Sequence, residues 1–122
     1  MTIVCVDDHP IFLKGLKQNI HHIMPDASIH TFESADKALD FVKGSSCDIL
    51  ISEIEMQGMS GLTLARNTKD LNPEVNIIFL TVCDESEYAR EVLDIRPSGY
   101  LLKPADETQL AFELRNLRYR VC

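Results

Sequence analysis

Residues 48–61 read DILISEIEMQGMSG, and this stretch decides the fold. Its first half is a short apolar run, which predicts a buried strand over Asp48–Ile54. Two acidic residues, Glu53 and Glu55, stand at the end of this strand, and two glycines bracket the loop that follows. A strand that is apolar on both faces and ends in carboxylates is typical of a parallel sheet with a binding site beyond its carboxyl edge.

Four further apolar runs predict four more strands on either side of this one. They cover Ile3–Val6, Ser28–Phe32, Val75–Thr81 and Gly99–Leu102. Segments with helical periodicity separate the strands. The helix starts are predicted near Pro10, Ser34, Leu62, Asp84 and Asp106, and the last helix is predicted to continue past Leu117. The alternation predicts a doubly wound α/β fold, with a five-stranded parallel sheet between five helices.

Length and composition exclude several classes of protein. The 122 residues are enough for one domain, and a net charge of −7 argues against direct binding to nucleic acid or anionic lipid. There is no membrane-length apolar run and no secretory signal, so we expect a cytoplasmic protein without membrane contact. None of the four cysteines forms a CxxC pair, which disfavours zinc. Cys5 is expected in the core and Cys122 at the surface.

Charged and polar side chains recur where the predicted strands end. These residues are Asp7, Asp8, Glu53, Thr81 and Lys103. The carboxyl ends of parallel strands share one edge of a sheet, so we expect these side chains to converge. Two like charges about 4 Å apart repel by roughly 4 kcal/mol at an effective dielectric near 20. Three carboxylates against one ammonium therefore call for a cation with oxygen ligands, and Mg²⁺ fits this set.

At this point the sequence resembles a known family, the CheY-like receiver domain of bacterial two-component response regulators. The resemblance spans the chain and rests on four blocks: VCVDDHP (4–10), DILISEIEMQGMSG (48–61), FLTVCDESEY (79–88) and GYLLKP (99–104). It implies the strand order 2-1-3-4-5 and a single receiver domain over residues 1–122. The segment DDHPIFLKGL (7–16) is most similar to the NarL/FixJ group, in which a LuxR-type helix-turn-helix follows the receiver.

The resemblance also implies roles for individual residues. Asp7 and Asp8 fall on the acidic pair that holds Mg²⁺, and Glu55 falls where the family supplies a backbone carbonyl to the metal. Thr81 and Lys103 fall on the hydroxyl and the lysine that contact the phosphoryl group. Tyr100 falls on the aromatic residue that changes rotamer on activation, and the bond from Lys103 to Pro104 falls where the family typically has a cis peptide.

Glu53 departs from the family pattern at the decisive position, because the family's phosphoacceptor there is an aspartate. The extra methylene moves the carboxylate by about 1.5 Å, and a misplacement of about 1 Å can cost on the order of a hundredfold in rate. We therefore expect little or no phosphorylation and weakened Mg²⁺ binding. Three interpretations stay open: Glu53 partly imitates a phosphoryl group, it pairs with Lys103 in an inert site, or it serves as a working acceptor.

Partners and competing functions complete the prediction. The resemblance implies a sensor histidine kinase or another signalling protein as partner, allows a homodimer, and leaves DNA contact to an effector domain outside this chain. We expect a signalling module that controls transcription, or an interaction-only pseudo-receiver, and not an enzyme. A Mg²⁺-dependent phosphohydrolase would need Asp-x-Asp, whereas Asp7 and Asp8 are adjacent. The four histidines, His9, His21, His22 and His30, are given no catalytic role.

Overall fold

A computed structural model describes residues 1–121, so the expectation for Cys122 lies outside the described residues. Five parallel strands form one sheet in the order β2-β1-β3-β4-β5, as predicted. The strands are β1 (Thr2–Val6), β2 (Ser28–Phe32), β3 (Ile49–Ser52), β4 (Asn76–Thr81) and β5 (Gly99–Leu102). The helices are α1 (Pro10–Ile23), α2 (Ala35–Gly44), α3 (Gly61–Leu71), α4 (Ala89–Ile95) and α5 (Glu107–Arg115).

The helices cover both faces of the sheet, and each face has its own core. Residues of α2, α3 and α4 pack with one set of strand side chains, including Val4, Leu50 and Phe79. Residues of α1 and α5 pack with the alternate set, which includes Cys5 and Ile51. Side chains alternate between faces along a strand, so one apolar run supplies both cores. Cys5 is fully buried, as expected.

Local signals in the sequence explain where most helices begin. The Ser34 hydroxyl accepts a hydrogen bond from the backbone N–H of Lys37 at the start of α2. Asp106 and Gln109 form a capping box at the start of α5. Among residues 1–121, no helix has the length and apolar composition needed to cross a membrane.

Strands β1 and β4 each begin one residue away from the predicted position, and three other elements differ more clearly from the predictions. The capping box of Asp84 opens a 3₁₀ turn, Glu85–Tyr88, and α4 begins only after it. The strand predicted over Asp48–Ile54 covers only Ile49–Ser52, although the N–H groups of Asp48 and Glu53 still donate to the carbonyls of Thr2 and Val6 in β1. The last helix ends at Arg115 instead of continuing past Leu117, and the backbone beyond Asn116 is bound elsewhere, as described below.

Candidate functional site

The predicted polar residues meet at the carboxyl edge of the sheet. Asp7 directly follows β1 and Glu53 directly follows β3, while Thr81 is the last residue of β4 and Lys103 follows β5. Asp7, Glu53 and Thr81 are each at most 3% exposed. The order β1-β3-β4-β5 places these strand ends side by side, so residues far apart in the chain form one buried polar cluster.

The carboxylate of Glu53 is fully engaged by protein groups. Its Oε1 accepts hydrogen bonds from the hydroxyl of Thr81 and, at 2.8 Å, from the backbone N–H of Ile54. Its Oε2 lies 2.8 Å from Nζ of Lys103. The backbone N–H of Cys83 in turn donates to the Thr81 hydroxyl at 3.0 Å. Glu53 thus links the ends of β3, β4 and β5 through a single side chain.

Lys103 is shared between two carboxylates and lies over an aromatic ring. Its Nζ lies 2.5 Å from Oδ2 of Asp7 and 2.8 Å from Oε2 of Glu53. The same nitrogen lies 4.1 Å from the centroid of the Phe12 ring, a cation–π geometry. Burial lowers the pKa of Lys103, but hydrogen bonds to Asp7 and Glu53 outweigh burial, so the net shift is upward. The ammonium is therefore held in its charged form.

The acidic pair offers a partial match to a cation site. Oδ1 of Asp7 is bound by the backbone N–H and the ring Nδ1 of His9, both at 2.9 Å. In contrast, Oδ1 of Asp8 is buried and makes no hydrogen bond within residues 1–121, although Nδ1 of His9 approaches it to 3.1 Å. A buried carboxylate oxygen without a partner is unfavourable unless a cation or water compensates it. Asp8 therefore fits Mg²⁺, whereas Glu53 has no uncommitted oxygen.

Two tyrosines connect the cluster to neighbouring loops. The hydroxyl of Tyr100 donates a 2.7 Å hydrogen bond to the backbone carbonyl of Cys83, and burial raises the pKa of Tyr100. The hydroxyl of Tyr88 donates to Oε2 of Glu55 at 2.5 Å, which raises the pKa of Tyr88 to about 12. The role expected for Glu55 rests on its backbone carbonyl, whereas its exposed side chain binds Tyr88. Sequence reasoning missed this second contact, since no local pattern pairs a loop glutamate with a residue 33 positions away.

Gly61 explains why the loop after β3 can close tightly over Glu53. A Cβ at position 61 would lie 1.9 Å from the carbonyl oxygen of Glu53 and 2.9 Å from the hydroxyl of Ser52. Gly61 N also donates a 2.8 Å hydrogen bond to the carbonyl of Ile54. Only a residue without a side chain allows this close approach of two backbone segments. Two of the four histidines contact carboxylates: His9 binds Asp7, and the exposed His22 pairs with Glu107 at 2.7 Å.

Comparison with known proteins gives a consistent result. The model of the response regulator receiver domain family matches residues 3–115. The nitrate/nitrite response regulator protein NarP of Escherichia coli is 30% identical over 93% of this chain and 53% of its own length. The oxygen regulatory protein NreC of Staphylococcus aureus is 30% identical over 96% of this chain and 54% of its length. The transcriptional regulatory protein DegU of Brevibacillus brevis is 29% identical over 90% of this chain and 47% of its length. The chain thus spans about half the length of these relatives.

Solved structures agree with the sequence relatives. A CheY-like receiver from Methanospirillum hungatei covers 93% of this chain with a TM-score of 0.86 at 20% identity, which establishes the fold. The isolated receiver domain of RcsB from Salmonella enterica, determined with the phosphomimetic BeF₃⁻, covers 94% of this chain and 86% of its own, at 28% identity and a TM-score of 0.82. Because the family model matches residues 3–115 and the strand order is that of the CheY-like structures, the chain belongs to the response regulator receiver domain family of two-component signal transduction.

Proposed function

We propose that this domain is a receiver that signals without phosphorylation, because Glu53 supplies part of what a phosphoryl group would supply. The single observation that carries the proposal is the division of the Glu53 oxygens between the hydroxyl of Thr81 and the ammonium of Lys103. These two groups are the ones that the family resemblance assigns to phosphoryl contact. An inert salt bridge would need only Lys103, so the contact with Thr81 favours imitation.

The orientation of Tyr100 supports the same interpretation. Its ring is partly buried beside Phe79, with ring centroids 6.1 Å apart, and its hydroxyl is bound to the carbonyl of Cys83. Cys83 also donates its backbone N–H to the Thr81 hydroxyl. The chain from Glu53 through Thr81 and Cys83 to Tyr100 is therefore continuous in hydrogen bonds. The imitation is partial, since a carboxylate has one charge and two acceptor oxygens, whereas a phosphoryl group has more charge and three.

For Mg²⁺ we propose weak binding. Asp7, Asp8 and the backbone carbonyl of Glu55 would hold the ion, which would neutralise the carboxylates and any phosphoryl group brought to the site. Oδ2 of Asp7 and both Glu53 oxygens are already committed to protein partners, so the ion has to compete with Lys103. Thermal unfolding with and without Mg²⁺ should show a smaller stabilisation in this chain than in its Glu53→Asp variant.

For the wider protein we propose an output in transcription. The relatives named above are regulatory proteins of which this chain matches about half, and one RcsB structure is described as dimers bound to DNA. Receiver domains interact with histidine kinases, so a kinase or another signalling protein is the proposed input partner. With a net charge of −7 this domain would leave DNA contact to a LuxR-type helix-turn-helix outside residues 1–122, and a homodimer is the proposed assembly.

The decisive experiment compares three forms of the domain: the unmodified chain, Glu53→Asp and Glu53→Gln. Each is incubated with Mg²⁺ and a small acyl phosphate, and its intact mass is measured. We expect a phosphoryl group on Glu53→Asp alone. Labelling of the unmodified chain on Glu53 would refute the proposal and make the domain a standard switch.

A second readout separates imitation from an inert site. Fluorotyrosine NMR reports the environment of Tyr100 in the unphosphorylated proteins. We expect the Tyr100 signal of the unmodified chain to differ from that of Glu53→Gln, which keeps the shape of the side chain and removes its charge. Identical Tyr100 signals in the two proteins would show that the Glu53 charge does not set the switch, leaving an interaction-only pseudo-receiver.

A further inference from the structure

A second buried polar cluster lies at the opposite, amino edge of the sheet. Asn76 is the first residue of β4 and is fully buried, although the rest of that strand is almost entirely apolar. Its backbone N–H donates to the carbonyl of Asp48 at 3.0 Å, as neighbouring parallel strands require. The strand rises roughly 3.3 Å per residue, so Asn76 and Thr81 lie roughly 17 Å apart along β4. The side-chain amide of Asn76 therefore serves something other than the Glu53 site.

The amide of Asn76 binds the backbone of the segment after α5. Its Oδ1 accepts from the N–H of Tyr119 at 2.8 Å, and its Nδ2 donates to the carbonyl of Tyr119 at 3.0 Å. The side-chain amide thus pairs with both the N–H and the carbonyl of one residue, as two residues of a hydrogen-bonded pair do in an antiparallel sheet. Ser98 extends the arrangement, since its hydroxyl donates to Oδ1 of Asn76 at 2.9 Å and accepts from the N–H of Arg118 at 3.1 Å.

These contacts recognise the backbone of the segment and not its side chains. Nζ of Lys69 lies 5.6 Å from the centroid of the Tyr119 ring. A partly exposed cation–π contact of this kind contributes little. By contrast, a buried amide that loses its partners bears the cost of desolvation without compensation. The binding preference of this site therefore lies in a free N–H and a free carbonyl at position 119.

We propose that Asn76 and Ser98 form a docking site for the chain's own C-terminal segment, and that this tail clamp fixes the direction in which the chain leaves the domain. The clamp holds residues 118–119 against the amino edge of the sheet. It accounts for the early end of α5, because the segment cannot continue as a helix and reach Asn76 at the same time. It lies roughly 17 Å along β4 from the Glu53 site, so we expect loss of the clamp to leave the hydrogen bonds of Glu53 unchanged.

The experiment uses a matched pair of substitutions at one position. Tyr119→Pro removes the N–H that binds Asn76, whereas Tyr119→Ala removes the ring and keeps the N–H. Hydrogen exchange of the Arg118 amide is followed by NMR in both variants and in the unmodified chain. Losing one such bond should speed exchange roughly tenfold in Tyr119→Pro. In Tyr119→Ala the rate should stay within about twofold of the unmodified rate.

Two further measurements make the result decisive. Ser98→Ala removes the acceptor of the Arg118 N–H directly and should speed exchange at Arg118 even if Tyr119→Pro folds poorly. The amide of Ile54, bound to Glu53, should keep its exchange rate in all variants. If Tyr119→Pro and Tyr119→Ala speed hydrogen exchange at the Arg118 amide equally, the proposal that the segment is recognised through its backbone is wrong. An unprotected Arg118 amide in the unmodified chain, or an Ile54 amide that changes together with Arg118, would overturn the independent clamp.

Discussion

The hydroxyl of Tyr100 lies 2.7 Å from the backbone carbonyl of Cys83, two residues beyond the strand that ends in Thr81. Strand β5 thereby holds the loop that follows β4. Since Cys83 also binds the Thr81 hydroxyl through its N–H, one residue receives contacts from both the acidic cluster and the aromatic ring. A change at the Glu53 site can therefore reach the protein surface by moving the loop that follows β4.

Tyr100→Phe should loosen this loop without disrupting the core. The change removes one partly buried hydrogen bond and should cost about 1 kcal/mol of unfolding free energy. Urea denaturation measures that loss, and hydrogen exchange should show faster exchange over residues 82–88. Tyr88→Phe is the matched control, because the bond from Tyr88 to Glu55 is at the surface. A greater loss from Tyr88→Phe than from Tyr100→Phe would contradict the assignment.

Lys103→Met should be strongly destabilising. The change leaves Asp7 and Glu53 buried without their shared cation, and breaking a buried ion pair on one side typically costs about 3–5 kcal/mol. Adding Glu53→Gln on the Lys103→Met background should recover part of the loss, because it removes one of the two uncompensated charges. Urea denaturation of the single and double variants at neutral pH completes the cycle. Strictly additive effects would show that Glu53 and Lys103 do not interact.

Gly61→Ala should disturb the Glu53 site, whereas Gly15→Ala should not. A Cβ at position 61 would meet the Glu53 carbonyl at 1.9 Å, but a Cβ at position 15 has no neighbour within 4 Å. Position 15 lies inside α1, where alanine is favoured over glycine by roughly 0.5–1 kcal/mol. The midpoint temperature of thermal unfolding should therefore be lower for Gly61→Ala and higher for Gly15→Ala than for the unmodified chain. Similar shifts in both variants would indicate that the loop packs loosely over Glu53.

Glu113→Gln should stabilise the domain at pH 7 and lose that advantage in acid. Burial raises the pKa of Glu113 above 4.5, because its carboxylate packs against Gly99. Because the pKa is raised on folding, the folded state favours the protonated carboxyl group. The contribution of Glu113 to the free energy of unfolding is therefore fully present below pH 4.5 and is lost as the pH rises through the pKa of the folded state. Thermal unfolding at pH 7 and pH 4 tests this, with the exposed Glu74→Gln as control. A gain that is the same at both pH values would refute the mechanism.

Much of the fold could be predicted from local sequence, since strands and helix starts depend on periodicity and capping. Ser28–Phe32 and Gly99–Leu102 have the predicted bounds, and the capping box at Asp106 begins α5. The 3₁₀ turn at Glu85 was not predictable, because a capping box serves either kind of helix equally well. We attribute the end of α5 to Asn76, which lies 43 positions before its partner Tyr119, so no pattern within the helix could indicate it.

The position of the candidate site could be predicted from the sequence, but its hydrogen bonds could not. The spacing of Asp7, Glu53, Thr81 and Lys103 at strand ends predicted their convergence, because the sheet topology follows from the alternation of elements. The sharing of hydrogen-bond partners did not follow, since it depends on side-chain geometry across four strands. Glu53 binds both Thr81 and Lys103 in the structure, whereas the sequence alone left open whether it pairs with Lys103 or imitates a phosphoryl group.

The negative charge of Glu53 is part of the polypeptide, and this affects how long the signal lasts. A phosphoryl group on aspartate can be added and hydrolysed, so an ordinary receiver carries a record of recent kinase activity. A carboxylate that binds Thr81 and Lys103 within the folded chain has no such lifetime. If Glu53 sets the switch, the strength of the signal depends on the concentration of the protein. Synthesis and degradation then control the signal, as a kinase and a phosphatase do for an ordinary receiver.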